Sequence, residues 1–315
     1  MNSGMDPDGR RRPTVPSNLA QDLQGVLALA GKTLTEEARN RTVEFLLGNL
    51  NDDGGFRGRT GNSDLCYTAF GMDSLLALGA KLPEGRIASG LRVHGDGRSL
   101  DFAHLTCLAR CRARLPSLAT SADAGERLLQ HVEAYRSPDG GYSMKRGELN
   151  ASAFACYVAY LAYESLNARV PSARAMVRSL ERLRSSDGCS FVNEVGAPLS
   201  STPATAAAAI LHVVCDEPVN QRVGEWLLGQ CARAGGFRAA PDAAQQDLLS
   251  TAMALYALRI MGRPFDGVRE ACLGFVDRLR HASGGYGGHI ADPTPDCEYT
   301  FYGLLALGLL ATPAP

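Results

Sequence analysis

The sequence predicts an all-α fold, a single α/α toroid of about six helical hairpins. Three observations predict it. A glycine-aromatic turn recurs along the chain, a small polar cluster follows each turn, and an apolar stretch of helical character follows each cluster. From Gly141 onward the turns lie roughly 47–49 residues apart, the period of a helical-hairpin array.

Residues 1 to about 16 are rich in Gly, Pro and Asp, carry Arg10-Arg11-Arg12 and have no apolar run behind them. They predict a disordered tail ahead of a toroid domain over 17–315. Residues 17–30 and 36–50 read as two helices, the second starting at Thr35-Glu36-Glu37 and carrying Val43, Phe45, Leu46 and Leu47. The first turn, Asp52-Asp53-Gly54-Gly55-Phe56, leads through Ser63-Asp64-Leu65-Cys66-Tyr67-Thr68 into an apolar helix over 69–79. The gap to the next clear turn, Asp139-Gly140-Gly141-Tyr142, is nearly double the period, and His94-Gly95-Asp96-Gly97 falls near its middle as a degenerate copy. That copy leads through Asp101, His104 and Thr106 into Cys107-Leu108-Ala109. The third leads through Glu148-Leu149-Asn150-Ala151-Ser152 into 153–163. The fourth runs from Asp187-Gly188-Cys189-Ser190-Phe191 through Ser200-Ser201-Thr202 into 206–214. The fifth runs from Gly235-Gly236-Phe237 through Asp247-Leu248-Leu249-Ser250-Thr251 into 252–261. The last, Gly284-Gly285-Tyr286, has the richest acidic cluster, Asp292 and then Asp296-Cys297-Glu298-Tyr299-Thr300, before Phe301-Tyr302-Gly303-Leu304.

Helices that follow the clusters carry Ala, Leu and Gly on nearly every side, which marks them as buried all round. Between them, 172–184, 220–233 and 267–281 show a clearer polar face. Alternation of the two kinds predicts an inner ring wrapped by an outer one. Glycine supplies the positive φ or close approach each turn needs, and the aromatic after it is expected to plug the space beneath.

At 315 residues the chain can bury a sizeable core. Its net charge of −1 shows no nucleic-acid footprint, no apolar run reaches membrane-spanning length, and no obligate protein partner is visible. Nine scattered cysteines without a secretory signal predict reduced thiols in a cytoplasmic protein. No CxxC occurs, and Cys107 and Cys111 show no histidine partner pattern, so a zinc finger is not expected.

If the inner helices begin near the clusters, their N-termini converge on one mouth. Asp64, Glu148, Asp247 and Asp296 would then form a ring, with Glu298, Cys66, Asn150, Tyr67 and Tyr299 a turn deeper. Crowded, partly desolvated carboxylates repel one another, so one of them is expected to hold its proton. Glu298 beside an ionised Asp296 is then the candidate general acid. Asp64, Asp247 and Asp296 have an alternative reading as helix N-caps, and Glu298 is the poorer cap candidate. The candidate catalytic set is Glu298, Asp296, Asp247 and Asp64; the candidate substrate contacts are Tyr299, Tyr67, Cys66, Asn150, Glu148, His104 and Tyr302. Arg57 and Arg59, and Lys145-Arg146, read either as phosphate receivers or as solvated loop charges. Tyr157, Tyr160 and Tyr163 read as core packing or as an aromatic wall able to stabilise a cation. Aromatic residues make up 7% of the chain, thin for a site that steers cations.

Over residues 40–312 this pattern of turn, polar cluster and inner helix resembles the prenyltransferase and squalene-oxidase repeat superfamily, which includes protein prenyltransferase β subunits and class II terpene cyclases. The resemblance to the transferases implies a zinc-binding Asp-x-Cys ahead of one inner helix and a zinc-binding His just before a Thr in the last. Here Leu249 stands where the cysteine is implied and Tyr299 where the histidine is. Pro241 and Ala244 stand where the resemblance implies diphosphate-binding Arg and Lys. Zinc is therefore not expected. The resemblance to the cyclases implies an acid motif, Asp-x-Asp-Asp followed by Thr, and lays Glu298 on the proton-donating acid, with Tyr299 replacing the last aspartate.

The expected function is metal-independent, acid-initiated cyclisation or isomerisation of a hydrophobic, isoprenoid-class small molecule, with magnesium admitted only if that substrate is a prenyl diphosphate. The alternatives are a divergent prenyltransferase β-like protein that transfers or binds a prenyl group, and a non-catalytic toroid that serves as a binding module.

Overall fold

The computed structural model describes residues 15–118 and 122–311. The tail expected over 1–16 lies, except for its last two residues, outside them. Thirteen α-helices occur among the described residues. After α1 (Leu19–Thr33) they form six hairpins: α2 (Glu36–Gly48) with α3 (Leu65–Ala77), α4 (Glu84–Arg92) with α5 (Phe102–Ala113), α6 (Ala122–Glu133) with α7 (Ala153–Ser165), α8 (Ala173–Leu180) with α9 (Thr202–Val214), α10 (Arg222–Gly229) with α11 (Leu248–Ile260), and α12 (Asp266–Arg278) with α13 (Cys297–Ala311). The odd-numbered helices from α3 to α13 pack each on the next, and α13 packs back on α3. This is the all-α, α/α toroid, and the degenerate turn at His94–Gly97 opens its second inner helix. The only strands among the described residues are an antiparallel pair, β1 (Phe237–Arg238) and β2 (Gln246–Asp247).

Why the inner helices are inner is plain from their composition. Along α9 every residue from Ala204 to Val213 is buried, and α11 is buried from Ser250 to Leu258, so neither has a face to offer water. Outer α8, by contrast, buries Met176, Val177, Ser179 and Leu180 and presents its arginines outward.

Each turn and the start of its inner helix are fastened together by one repeated device. The backbone N–H of the turn aromatic donates to a side chain in the first turn of the inner helix: Phe56 to Thr68 Oγ1 at 2.9 Å, Phe191 to Thr205 at 3.0 Å, Phe237 to Thr251 at 2.9 Å and Tyr286 to Thr300 at 3.1 Å. In the third repeat the Cys156 thiol takes that place for Tyr142 at 3.3 Å. The aromatic rings lie fully buried against the inner helices. Gly303 is required there, since a Cβ would stand 2.7 Å from the Tyr286 ring.

Neighbouring repeats are stitched along one rim. The N–H groups of Ala153, Thr202 and Leu248, at the starts of three inner helices, donate to the carbonyls of Asn193, Ala239 and Gly288 in the next repeat's loop at 2.8–2.9 Å. All inner N-termini therefore open toward the same end of the ring.

The opposite end is closed by α1, which packs on α13, α3 and α7. Its Asp22 accepts from both Nη atoms of Arg259 (2.7 and 2.9 Å) and from the Tyr256 hydroxyl (2.9 Å). Its start is tied to α7, where the Leu19 N–H meets the Glu164 carboxylate and Asn18 Nδ2 donates to the Glu164 carbonyl at 3.0 Å. Gly308 of α13 lets the two backbones touch, because a Cβ there would collide with the Val26 carbonyl.

Candidate functional site

Inside the ring lies a cavity of about 540 Å³. Every inner helix contributes to its wall, and Leu23 of α1 contributes to its floor. The wall is largely apolar and aromatic, with Phe70, Tyr157, Met253, Phe301, Tyr302 and Leu305 among its members. Phe70, Phe301 and Tyr302 form one cluster, with ring centroids 5.0–5.7 Å apart. Charge enters the wall at only two places, Glu298 and Arg110.

Glu298 sits in the first turn of α13 and faces this cavity. Among the described residues nothing hydrogen-bonds or ion-pairs with its carboxyl. Burial, helped by the Asp296 carboxyl two residues away, pushes its pKa up to about 7. Asp296, 6% exposed, caps the same helix, accepting from the Tyr299 N–H through Oδ1 (2.8 Å) and from Arg59 Nε through Oδ2 (2.9 Å). Burial pushes the Asp296 carboxyl up while the amide and the guanidinium pull it back. Two donors on one carboxylate make it the ionised member of the pair. Arg59 also pairs with Asp292, and its guanidinium carbon lies 5.4 Å from the centre of the Tyr299 ring. This arginine is bound up in the acidic cluster, while Arg57 is spent on Asn49 and the Gly48 carbonyl at the end of α2. Tyr67, pushed up to about 12 by burial and by the Asp296 and Glu298 charges, stands beside the same group.

A second cluster spans α3 and α5. Asp64 caps α3 by accepting from the Cys66 and Tyr67 N–H groups through Oδ1 (2.7 and 3.1 Å), and its Oδ2 lies 3.0 Å from His104 Nε2. His104 Nδ1 lies 2.9 Å from Asp101 Oδ1. Burial works against protonation of His104, but Asp64 and Asp101 together hold its pKa above the ordinary value. Cys66 and Cys107, both on the cavity wall, approach to 3.1 Å between Sγ atoms.

The remaining expected residues disperse. Asp247 caps α11 through the Ser250 N–H and hydroxyl, both at 2.7 Å, and burial raises its pKa. Glu148 is exposed and, with half-buried Asn150, borders a separate polar depression of about 170 Å³. The expected ring of four carboxylates is corrected there, because Ser152 takes the capping slot of α7, its Oγ accepting from the Ala155 N–H at 3.2 Å. Tyr299, Tyr67 and Asp296 surround Glu298 at the rim without lining the cavity; Tyr302, Cys66 and Tyr157 line it. Tyr163 turns away and donates to Glu133 at 2.5 Å. Deeper in the wall is a group the sequence reading missed. Asp73, 2% exposed, accepts from Arg110 (2.8 Å) and Arg114 (2.7 Å), and the Arg110 guanidinium carbon lies 5.4 Å from the Phe70 ring centre and 5.8 Å from that of Phe301. No sequence signal pairs residues 37 and 41 positions apart, although they are one repeat apart in the ring.

The positions that the transferase resemblance marks for zinc do not fit a metal. Asp247 spends both oxygens on Ser250, Leu249 is a cavity-wall hydrocarbon, and the Tyr299 ring lies under Arg59.

A family model described as the prenyltransferase alpha-alpha toroid domain matches residues 23–89, 105–198 and 202–313. No curated protein matches the sequence. Among solved structures, the chain is similar to an α-1,6-mannanase from Salegentibacter (16% identity, 87% of this chain and 98% of that one, TM-score 0.61). It is likewise similar to a variant of the type II terpene cyclase MstE from Scytonema in complex with geranylgeranyl dihydroxybenzoate (14%, 93% and 98%, TM-score 0.58). A protein from Actinoplanes matches at 17% identity over 88% of this chain and 99% of that one, with a TM-score of 0.57. At these identities the likeness concerns the fold, which serves both a cyclase and a glycoside hydrolase.

Proposed function

We propose, from the premise that the chain belongs to the prenyltransferase alpha-alpha toroid domain family, that it binds a hydrophobic, isoprenoid-class small molecule within the ring and that Glu298 protonates it, starting a cyclisation or isomerisation. One observation carries this reading: an unpartnered, half-buried carboxyl on the wall of a cavity lined mostly by hydrocarbon and aromatic rings. Such a wall suits an alkene chain. A sugar, whose hydroxyls each need a partner, is poorly served by it, because desolvating them unpaired costs on the order of 1–3 kcal/mol each. The mannanase-like chemistry of one structural neighbour is disfavoured on that ground.

Division of labour follows from the two carboxyls. Glu298, titrating near 7, supplies the proton; Asp296, held by Arg59 and the Tyr299 amide, stays ionised and keeps that proton on its neighbour. Protonation of an alkene carbon leaves a carbocation. The faces of Phe70, Tyr157, Phe301 and Tyr302 stabilise positive charge without attacking it. Loss of a proton from a neighbouring carbon to water then re-forms a double bond, and solvent at the rim returns a proton to Glu298.

The test is incubation with farnesyl and geranylgeranyl diphosphates, and with geranylgeranyl-bearing phenols, in D₂O, followed by extraction and mass spectrometry. The expected product keeps its head group, has one more ring or a moved double bond, and carries deuterium. Glu298→Gln is expected to slow its formation by about 10²–10⁴-fold, the usual worth of a general acid. Unchanged activity in that variant sinks the mechanism, and release of pyrophosphate with the prenyl group joined to an acceptor replaces it with prenyl transfer.

A further inference from the structure

We propose that Arg110 is the head-group receptor of the cavity and that the molecule held there is a monoanion, a long-chain isoprenoid carboxylic acid. The inference rests on the reading of the ring as a chamber for an isoprenoid chain, and it adds which end of that chain goes in first. Asp73 serves two guanidiniums with one carboxylate, accepting from Arg110 Nη2 through Oδ2 (2.8 Å) and from Arg114 Nε through Oδ1 (2.7 Å). Two cations share one anion, so a positive charge is left over in a wall made mostly of hydrocarbon. The Arg110 side chain is 11% exposed and lines the cavity, where an unbalanced charge is costly until a partner arrives.

The other anions nearby are committed. Asp22 is taken by Arg259 and Tyr256, and Asp64 by two backbone N–H groups and His104. Burial holds the Cys111 thiol well above its ordinary value, and Cys107 is engaged with Cys66 at 3.1 Å. Among the described residues nothing accepts from Arg110 Nε or Nη1, which leaves most of a planar donor fork for a ligand. Its guanidinium carbon lies 5.4 and 5.8 Å from the ring centres of Phe70 and Phe301, which fix its place in the wall. One surplus charge matches one carboxylate. A diphosphate brings more than one negative charge and strands the remainder among hydrocarbon. Arg110 is the ninth residue of α5 and Glu298 the second of α13. Both helices start at the same rim, so the arginine's backbone lies roughly 10 Å deeper along the axis. The acid therefore enters head first, its carboxylate on Arg110 and its tail alkenes toward Glu298.

Isothermal titration calorimetry of the full-length protein with farnesoic acid, farnesol and farnesyl diphosphate, at a pH where the acid is ionised, tests the site. The expected result is one acid per chain, bound about 10–100-fold more tightly than farnesol, the usual worth of a hydrogen bond to a charged group, and more tightly than the diphosphate. Arg110→Gln leaves Asp73 and Arg114 as a balanced pair and erases the preference for the acid, while farnesol binds as before. Arg110→Lys keeps the charge, loses the fork and retains part of the preference. An arginine with a structural role only would shift both ligands together. Equal binding of acid and alcohol by the wild type, a preference that survives Arg110→Gln, or tighter binding of the diphosphate overturns the assignment and leaves the chamber standing. No binding of any of the three removes the chamber as well. The readout is affinity, so it stands whether or not Glu298 is a catalytic acid.

Discussion

The arc of the ring made by α13, α3 and α5 and the arc made by α7 and α9 follow one plan, yet they differ in what fills its slots. Each inner helix is capped at its N-terminus and stapled to an aromatic turn. In the second arc the caps are Ser152 and Ser201, with a single oxygen apiece, and each is used up on one backbone N–H. In the first arc the caps are Asp296, Asp64 and Asp101, and each has a second oxygen or a close neighbour to spare: Arg59 for Asp296, His104 for the other two. A carboxylate can therefore cap and still take part in chemistry, whereas a serine in the same slot is consumed by the architecture. The charged wall residues, Glu298 and Arg110, belong to the first arc as well.

The sharpest way to break this contrast is to strip the charged arc of a buried partner. Asp73→Ala leaves the Arg110 and Arg114 guanidiniums facing each other without an anion, and urea denaturation is expected to show a loss of about 3–5 kcal/mol. A loss below about 1 kcal/mol would mean that solvent reaches the group and that this arc is no more demanding than the other. A smaller effect, of opposite sign, is expected at Glu298. Its folded-state pKa of about 7 exceeds the ordinary glutamate value of 4.5, so the folded state binds the extra proton; stability contributed by the acid form is complete below 4.5 and is lost as pH rises through 7. Glu298→Gln, which cannot ionise, is expected to gain stability over the wild type across that window, reaching about 3 kcal/mol by pH 8 in thermal melts. Equal pH dependence in both proteins would place Glu298 in water. The smallest effect belongs to the quiet arc. Ser201→Ala is expected to cost about 1 kcal/mol, the usual worth of an N-cap, with product formation per folded molecule unchanged.

The ring was legible in the sequence because the toroid repeats its own signals: five glycine-aromatic turns set the period, and the expected inner helices begin within a few residues of the observed ones. Glu298 stood out because no other copy carries an acid at that place. The spacing of an aspartate four residues ahead of a threonine was visible, but its reason was not, since the threonine hydroxyl serves a turn 12–14 residues upstream. Partners from neighbouring repeats were the hardest to read. Asp73 with Arg110, Asp64 with His104, and Arg59 with Asp296 meet only when the ring is assembled. A signal for the second of these did exist. Cys66 and Cys107 occupy neighbouring slots one short repeat apart, and reading the repeats as a wheel sets His104 beside Asp64. Glu148 does not sit where its acidity suggests, because in that repeat the capping slot belongs to Ser152, which acidity alone does not mark.

The first helix has a consequence for how the protein is made. Leaving the ribosome before the hairpins of the ring, α1 has its seat on α13, α3 and α7, and its Asp22 waits for Arg259, 237 residues away. The ring itself closes only when Thr42 donates to the Gly284 carbonyl across a separation of 242 residues. Loop closure over such spans is slow compared with hairpin formation. The five earlier hairpins can form as they emerge, but the floor is completed only at the end, by a helix made before any of them. Until then the apolar face of α1, with Leu19, Leu23, Val26 and Leu27, stays uncovered, and the nascent protein is an open arc with a greasy leading helix, the stage of its life at which it most needs a chaperone.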